Sequence, residues 1–411
     1  MRTDFYARGP HYGPLRVHHA GFSESAIINT LKIRAAAAVL ALSLAPLAHA
    51  GLLAAHEPDA GTRSKLNAAA HLMAGLPEAR TPFEKTAAWK EHSEFMRSAW
   101  SRLNGRQVAA MTTWRDAQLG RSCPAGGTLL YPFSGPDFLN ATWLFPGCEH
   151  IVMFGLEHIG EAPDTDAMNE RALVQLTADV RTAMGNFIDR NYFITDNMTR
   201  QLRTSQLQGV LPVFMLSMAL SGMEIVRIMP HDLAVSPHET VAEGKPMRHL
   251  KGVTVVYLAP GSTAQRSVDY FSVDASDRGL AHYPEFLAYV RSLAPTTTFI
   301  KSASYLLQGN EFRQMRAALL EVSSFIVQDD SGLPFAMLEN RGWRVHLHGR
   351  YGRPIPPFGG AYQVELSRAY KAQEPAPLPF TFGYQYHDFR DTRSNLIVAQ
   401  RTGASLPRPA R

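Results

Sequence analysis

The chain has 411 residues, 45% hydrophobic and 19% charged, with 30 Gly, 27 Pro and 2 Cys. That is a globular balance with enough apolar material for one large core or two medium ones. The net charge of +5 is mild and dispersed, with part of the excess near the ends (Arg2, Arg8, Arg16, Arg401, Arg408, Arg411), which excludes the basic, aromatic-laced face of a nucleic-acid binder.

In chain order, the first local feature lies at residues 32–50. Lys32 and Arg34 form a short basic region, Ala35–Ala48 is uncharged, and Ala48-His49-Ala50 has the small-x-small pattern of a signal-peptidase site, with Gly51 as the new N-terminus. This predicts a cleaved signal peptide and a periplasmic or secreted protein. The competing assignment, a membrane anchor, is weakened by Pro46 and His49, which interrupt a run that must reach about 20 apolar residues. Residues 1–31 are polar and rich in Gly, Pro and His, an odd preface to a signal, consistent with a true start further downstream. No other segment predicts a stable membrane span.

Residues 51–122 are expected to be a helical layer: Leu66, Ala69, Leu72 and Leu76 recur at helical spacing, as do Trp89, Phe95, Met96, Trp100 and Leu103. An α/β domain is expected from 123 to about 400, integrated with that layer. Its clearest part is a βαβ unit: strand Thr128–Phe133, turn Ser134-Gly135-Pro136-Asp137, short helix Phe138–Phe145, strand Glu149–Leu156. Further on, residues 168–190 are an amphipathic helix and 206–220 a buried one. Residues 252–259 and 267–273 are strands, and 284–293 is a helix. Residues 297–307 are a strand or strand-to-helix junction, 311–322 a helix capped by Asn310, and 325–328 and 343–348 further strands. The tail from Glu374 is Pro-rich and then aromatic. This alternation predicts a Rossmann-like α/β fold, a mainly parallel sheet flanked by helices.

Cys123 and Cys148 each precede one strand of the βαβ unit. If those strands pair in parallel, at a spacing of about 4.8 Å, the two cysteines are close enough for a disulfide; two free buried thiols are the alternative.

Ligands of open α/β sheets bind beyond the carboxyl ends of the strands. That rule selects Ser134, Gly135 and Asp137 after the first strand, Glu157 and His158 after the second, and Asp329, Asp330 and Ser331 after the strand at 325–328. The turn at 134–137 could hold an anion on its amides or simply start a helix. Asp329-Asp330-Ser331-Gly332 could bind a cation, act as general acid and base, or be a solvated hairpin turn. His346 and His348 share one strand face but lack a third ligand, so no metal site is expected. No G-x-G-x-x-G follows the first strand, so a dinucleotide is not implied and the cofactor stays open; H-E-x-x-H, G-x-S-x-G and P-loop patterns are also absent.

Tyr131-Pro132-Phe133-Ser134-Gly135-Pro136-Asp137-Phe138, Phe154-Gly155-Leu156-Glu157, and Gln328–Gly332 with Trp343 and Gly349-Arg350-Tyr351 resemble an exported bacterial family known as a domain of unknown function. The resemblance spans residues 85–400 and implies one integrated domain and no particular activity.

The expected function is binding of a small polar or anionic ligand at the sheet edge, with Ser134, Gly135, Asp137 and Glu157 as one wall and Asp329, Asp330 and Ser331 as another. A hydrolase using Asp329 or Asp330 with His158 or His346 is the alternative, and a structural or envelope-interaction protein is a third. Whether the chain is an enzyme, and its oligomeric state, are not legible.

Overall fold

The computed structural model describes residues 59–403 except 78–81, 121, 125, 191–201, 203, 205, 232, 234–249, 340–341 and 385–393. Three helices come first: α1 (Ala60–Ala74), α2 (Ala87–Leu103) and α3 (Ala109–Gln118). Their starts follow capping chemistry. The Asp59 carboxylate accepts from the Thr62 amide, the Thr86 hydroxyl accepts from the Trp89 amide, and Gly75 closes α1 in the left-handed conformation.

Then follow β1 (Thr128–Pro132), α4 (Phe138–Leu144), β2 (His150–Gly155), α5 (Glu170–Arg190), α6 (Leu211–Leu220), β3 (Glu224–Pro230), β4 (Gly252–Leu258) and β5 (Gln265–Ser272). The second half contains α7 (Asp277–Leu280), α8 (Pro284–Ser292), β6 (Thr296–Ile300), α9 (Arg313–Val322), β7 (Ser323–Gln328), β8 (Trp343–Gly349), α10 (Val364–Gln373) and β9 (Asn395–Arg401). Asn310 opens a short 3-10 turn and does not cap α9, whose preceding residue is the half-buried Phe312.

The strands form one nine-stranded sheet in the order β3-β4-β5-β2-β1-β6-β7-β9-β8. The run β5-β2-β1-β6-β7 is parallel, whereas β3, β4, β8 and β9 pair antiparallel at the two ends. The fold is therefore α/β with a mixed sheet and a mostly parallel core, and the Rossmann-like expectation is corrected. Two antiparallel pairs close the ends, one of them built on the chain's tail: β9 inserts between β7 and β8.

Side chains alternate across the sheet with the two-residue strand period. Leu129, Tyr131, Ile151 and Met153 pack on one face with residues of α1–α6, while Leu130, Val152 and Phe154 pack on the other with residues of α7–α10. The crossover from β1 to β2 runs through α4 on the first face, and that from β6 to β7 through α9 on the second. Because β1 has its first crossover on one side and β6 on the other, a crevice opens between their carboxyl ends, the topological switch point of the sheet.

Cys123 and Cys148 form a disulfide with Cα atoms 5.3 Å apart. It ties the segments that enter β1 and β2, at the amino edge. Residues 32–50, expected to be a signal peptide, lie outside the described residues, and nothing in the structure supports a secreted or periplasmic protein. That expectation is withdrawn, and the disulfide is the part of it that is present. No helix among the described residues is long and apolar enough to cross a membrane. Ala50–Arg411 holds together as one compact unit.

Candidate functional site

Two polar assemblies occupy the carboxyl edge of the sheet. The first fills the switch-point crevice. Asp137, at the N-cap of α4, accepts from Tyr131 Oη (2.9 Å), Lys301 Nζ (2.8 Å) and Asn140 Nδ2 (2.8 Å). Lys301 is the first residue past β6, and its side chain is 1% exposed. The carboxylate of Asp137 itself occupies the N-terminus of the seven-residue α4, so the turn is a self-capped helix start and not an anion cradle.

The chain after β6 then takes an unusual path: Ser302, Ser304 and Tyr305 all have positive φ, at 51°, 52° and 56°. Non-glycine residues in that region cost about 1–3 kcal/mol each and persist where surroundings over-determine them. Here the surroundings are the acids after β7. Asp329 Oδ2 accepts from the Ser302 amide (2.9 Å) and Oδ1 from the Ser331 amide (3.0 Å) and hydroxyl. Asp330 Oδ2 accepts from Tyr305 Oη (2.7 Å) and Oδ1 from Asn395 Nδ2 (2.8 Å) at the start of β9. Ser331 Oγ also accepts from the Ala303 amide, and Tyr384 Oη donates to the Ser302 carbonyl (2.6 Å).

Asp329, Asp330 and Ser331 are thus at most 1% exposed, which corrects the solvated-turn alternative. Burial, reinforced by the neighbouring Asp330, pushes the Asp329 carboxyl up to about 7, and burial raises Asp330 as well. Both expected walls are brought together here, joined through Lys301 and Ser302, but as an internal network. Ser134 and Asp137 are buried with it. Glu157 folds back over the end of β2 beside Gly135: a Cβ on Gly155 would lie 2.4 Å from Glu157 Oε2 and 3.5 Å from the Gly135 amide nitrogen. Burial raises the Glu157 carboxyl, which accepts from Tyr270 Oη at 3.3 Å.

The two expected histidines lie elsewhere. His346 is exposed on the outermost strand, opposite Val398 of β9. Its neighbour His348 packs edge-on against Trp114, ring centroids 5.0 Å apart, and burial lowers it to about 4. His158 is exposed, with Nδ1 accepting from the Gly160 amide at 2.9 Å.

His158 belongs to the second assembly, a cleft of about 480 Å³ at the carboxyl ends of β2 and β5. Its polar lining comes from His158, Glu161, Lys251, Ser272 and Tyr283, and its apolar lining from Ile159, Pro230 and Leu250. A second hollow of about 460 Å³ shares Ile159, Gly160, Glu161, Pro230 and Gly252 with it and continues over apolar side chains such as Leu66, Leu211 and Met229. Lys301, Tyr305 and Asn395, and the cleft residues Pro230, Leu250, Lys251 and Tyr283, carry no local sequence signal that would have singled them out. Among the described residues no three His, Cys, Asp or Glu side chains are grouped to hold a metal ion.

No family model, no curated protein and no solved structure matches the chain, and the resemblance to an exported bacterial family gains no support from them.

Proposed function

We propose that this protein binds a small polar ligand carrying an apolar part, in the paired hollows at the carboxyl ends of β2 and β5. The observation that carries this reading is the joining of two hollows of different character along one shared wall, Ile159–Glu161 with Pro230 and Gly252. Ligand sites combine apolar lining with a few convergent polar groups, and in sheets of this kind they lie at the carboxyl edge. Lys251 and Tyr283 supply donors on the polar side, and the second hollow offers a home for a short hydrocarbon or ring.

The buried acid network supports this edge and does not receive the ligand. Every carboxylate oxygen of Asp329 and Asp330 already accepts from a protein donor, so neither is open to water as a hydrolytic base would need to be. The test is a thermal-shift panel of sugars, nucleosides, short-chain carboxylates and their esters on the wild type and on Lys251→Ala. A binder at 100-fold excess over its Kd adds about 2.7 kcal/mol of stability. A shift in the wild type that is lost in Lys251→Ala supports the reading. A panel without any shift, or a shift equal in both proteins, would overturn it in favour of a scaffold or of a site elsewhere.

A further inference from the structure

The cleft at the ends of β2 and β5 is lined by two opposite charges that do not meet. Lys251, just before β4, and Glu161, in the segment after β2, are both exposed and both line it. Among the described residues, neither side chain makes an ion pair or hydrogen bond, with the other or with any further group. The hydroxyls of Ser272 and Tyr283, in the same lining, make no hydrogen bond there either. His158 Nδ1 accepts from the Gly160 amide at 2.9 Å, so the proton of the neutral ring sits on Nε2, a donor.

These groups stand on a framework that is already locked. Asp269, fully buried in β5, meets His150 Nε2 of β2 at 2.8 Å. It accepts from Thr254 Oγ1 of β4 at 2.6 Å and from Tyr289 Oη of α8 at 3.0 Å. Those four elements carry or adjoin His158, Lys251, Ser272 and Tyr283. The Ser272 amide also donates to the Lys251 carbonyl at 3.3 Å. A ligand therefore has little backbone to order when it binds.

The order of charges along the two hollows sets the class of ligand. Lys251 lines only the polar cleft, whereas Glu161 lies on the wall shared with the apolar hollow. Arg227, the other charged residue of that second hollow, is buried. A ligand reaching from one hollow into the other thus meets a cation, then a carboxylate, then hydrocarbon. A plain carboxylate would leave Glu161 against its chain, and a plain amine would face Lys251. An α-amino acid presents the complementary order of carboxylate, ammonium and side chain.

We propose that the paired hollows take a free α-amino acid with an apolar side chain. Its carboxylate lies at Lys251 and His158, its ammonium at Glu161, and its side chain among Leu66, Leu211 and Met229. This deepens the binding reading and rests on the cleft being the ligand site.

Isothermal titration of the intact protein with L-leucine and two analogues tests this. 4-Methylpentanoate lacks the ammonium and leucinamide lacks the carboxylate. Each should bind at least about ten-fold more weakly than leucine, the loss expected for one hydrogen bond to a charged group. Glu161→Gln should weaken leucine by a similar factor and leave 4-methylpentanoate unchanged or tighter. Lys251→Met should weaken leucine and 4-methylpentanoate together and leave leucinamide unchanged or tighter. Loss of folding cannot produce that crossed pattern. Equal binding of leucine and 4-methylpentanoate by the wild type overturns the inference and leaves cleft binding standing. Leucinamide as tight as leucine overturns it in favour of the N-terminal residue of a peptide. Absence of leucine binding overturns it as well, and a Lys251-dependent shift with another compound would then still uphold the cleft.

Discussion

Lys301 Nζ meets Asp137 Oδ2 at 2.8 Å across the crevice between β6 and β1, in a pair 164 residues apart and almost wholly shielded from water. A buried ion pair contributes little over a well-packed apolar pair, but removing one partner strands the other charge in a low dielectric. Lys301→Met should therefore cost about 3–5 kcal/mol. Adding Asp137→Asn should recover part of that loss, because the stranded charge disappears while Tyr131 and Asn140 keep a polar neighbour. Urea melts at constant m-value report both changes. Equal stability of the single and double variants would mean that the charge of Asp137 is compensated without Lys301.

The acids after β7 predict a pH dependence of definite sign. Burial and Asp330 raise Asp329 from 3.8 to about 7. The folded state then holds a proton that the unfolded chain releases, so this contribution to stability is full below about pH 3.8 and is lost as pH rises through about 7. His92 and His348 act oppositely. Burial lowers both from 6.5 to about 4, so their contribution is present above 6.5 and lost as pH falls toward 4. Because the windows overlap, the test is the difference between wild type and Asp329→Asn. From pH 5 to 8 the wild type should lose stability relative to the variant, whatever constant penalty the amide carries opposite the Ser302 amide. A difference independent of pH would place the protonation elsewhere.

How much of this was legible in the sequence follows from contact range. The βαβ unit at 128–155 could be read because its signals are local: apolar runs, a Gly-Pro-Asp turn, and strands adjacent in both sequence and space. The carboxyl edge was legible in part. Asp329, Asp330 and Ser331 were placed at a strand end, but their burial depends on Ser302, Tyr305 and Asn395, which lie 27, 25 and 65 residues away. Strand β3 was missed because Arg227 and Glu224 break its apolar pattern, and β9 because only Leu396–Ala399 stands out in a tail of turn formers. His150 and Asp269 are 119 residues apart and meet only once β2 and β5 pair. No spacing rule reaches that far.

The disulfide predicts a loss on reduction that is independent of the site. Cys123 and Cys148 close a loop of 25 residues, and releasing it should cost about 3–4 kcal/mol in the chain-entropy model. The paired Ser variants should show the same loss in urea and remain insensitive to reductant. The crossover β1-α4-β2 sits inside the loop, so its amide protons should be the first to lose protection in hydrogen exchange. Uniform loss of protection over the whole sheet would show that the bond stabilises the fold as one unit.

The cleft wall makes the sharpest demand on a single residue. Gly160 has φ +78°, and a Cβ there would lie 1.7 Å from the carbonyl oxygen of Gln208. The approach is this close because residues 158–160 are zipped to the start of α6: the amides of Val210 and Leu211 donate to the carbonyls of His158 and Ile159, each at 2.9 Å. Gly160→Ala must move backbone, and the clash falls on the wall shared by the two hollows. It should destabilise by well over about 1 kcal/mol and abolish any ligand-induced shift. Gly185→Ala, inside α5, meets no atom within 4 Å and should be neutral or stabilise by up to about 1 kcal/mol, with ligand response intact. If both alanines bind the same ligand as the wild type, the cleft is not where that ligand sits.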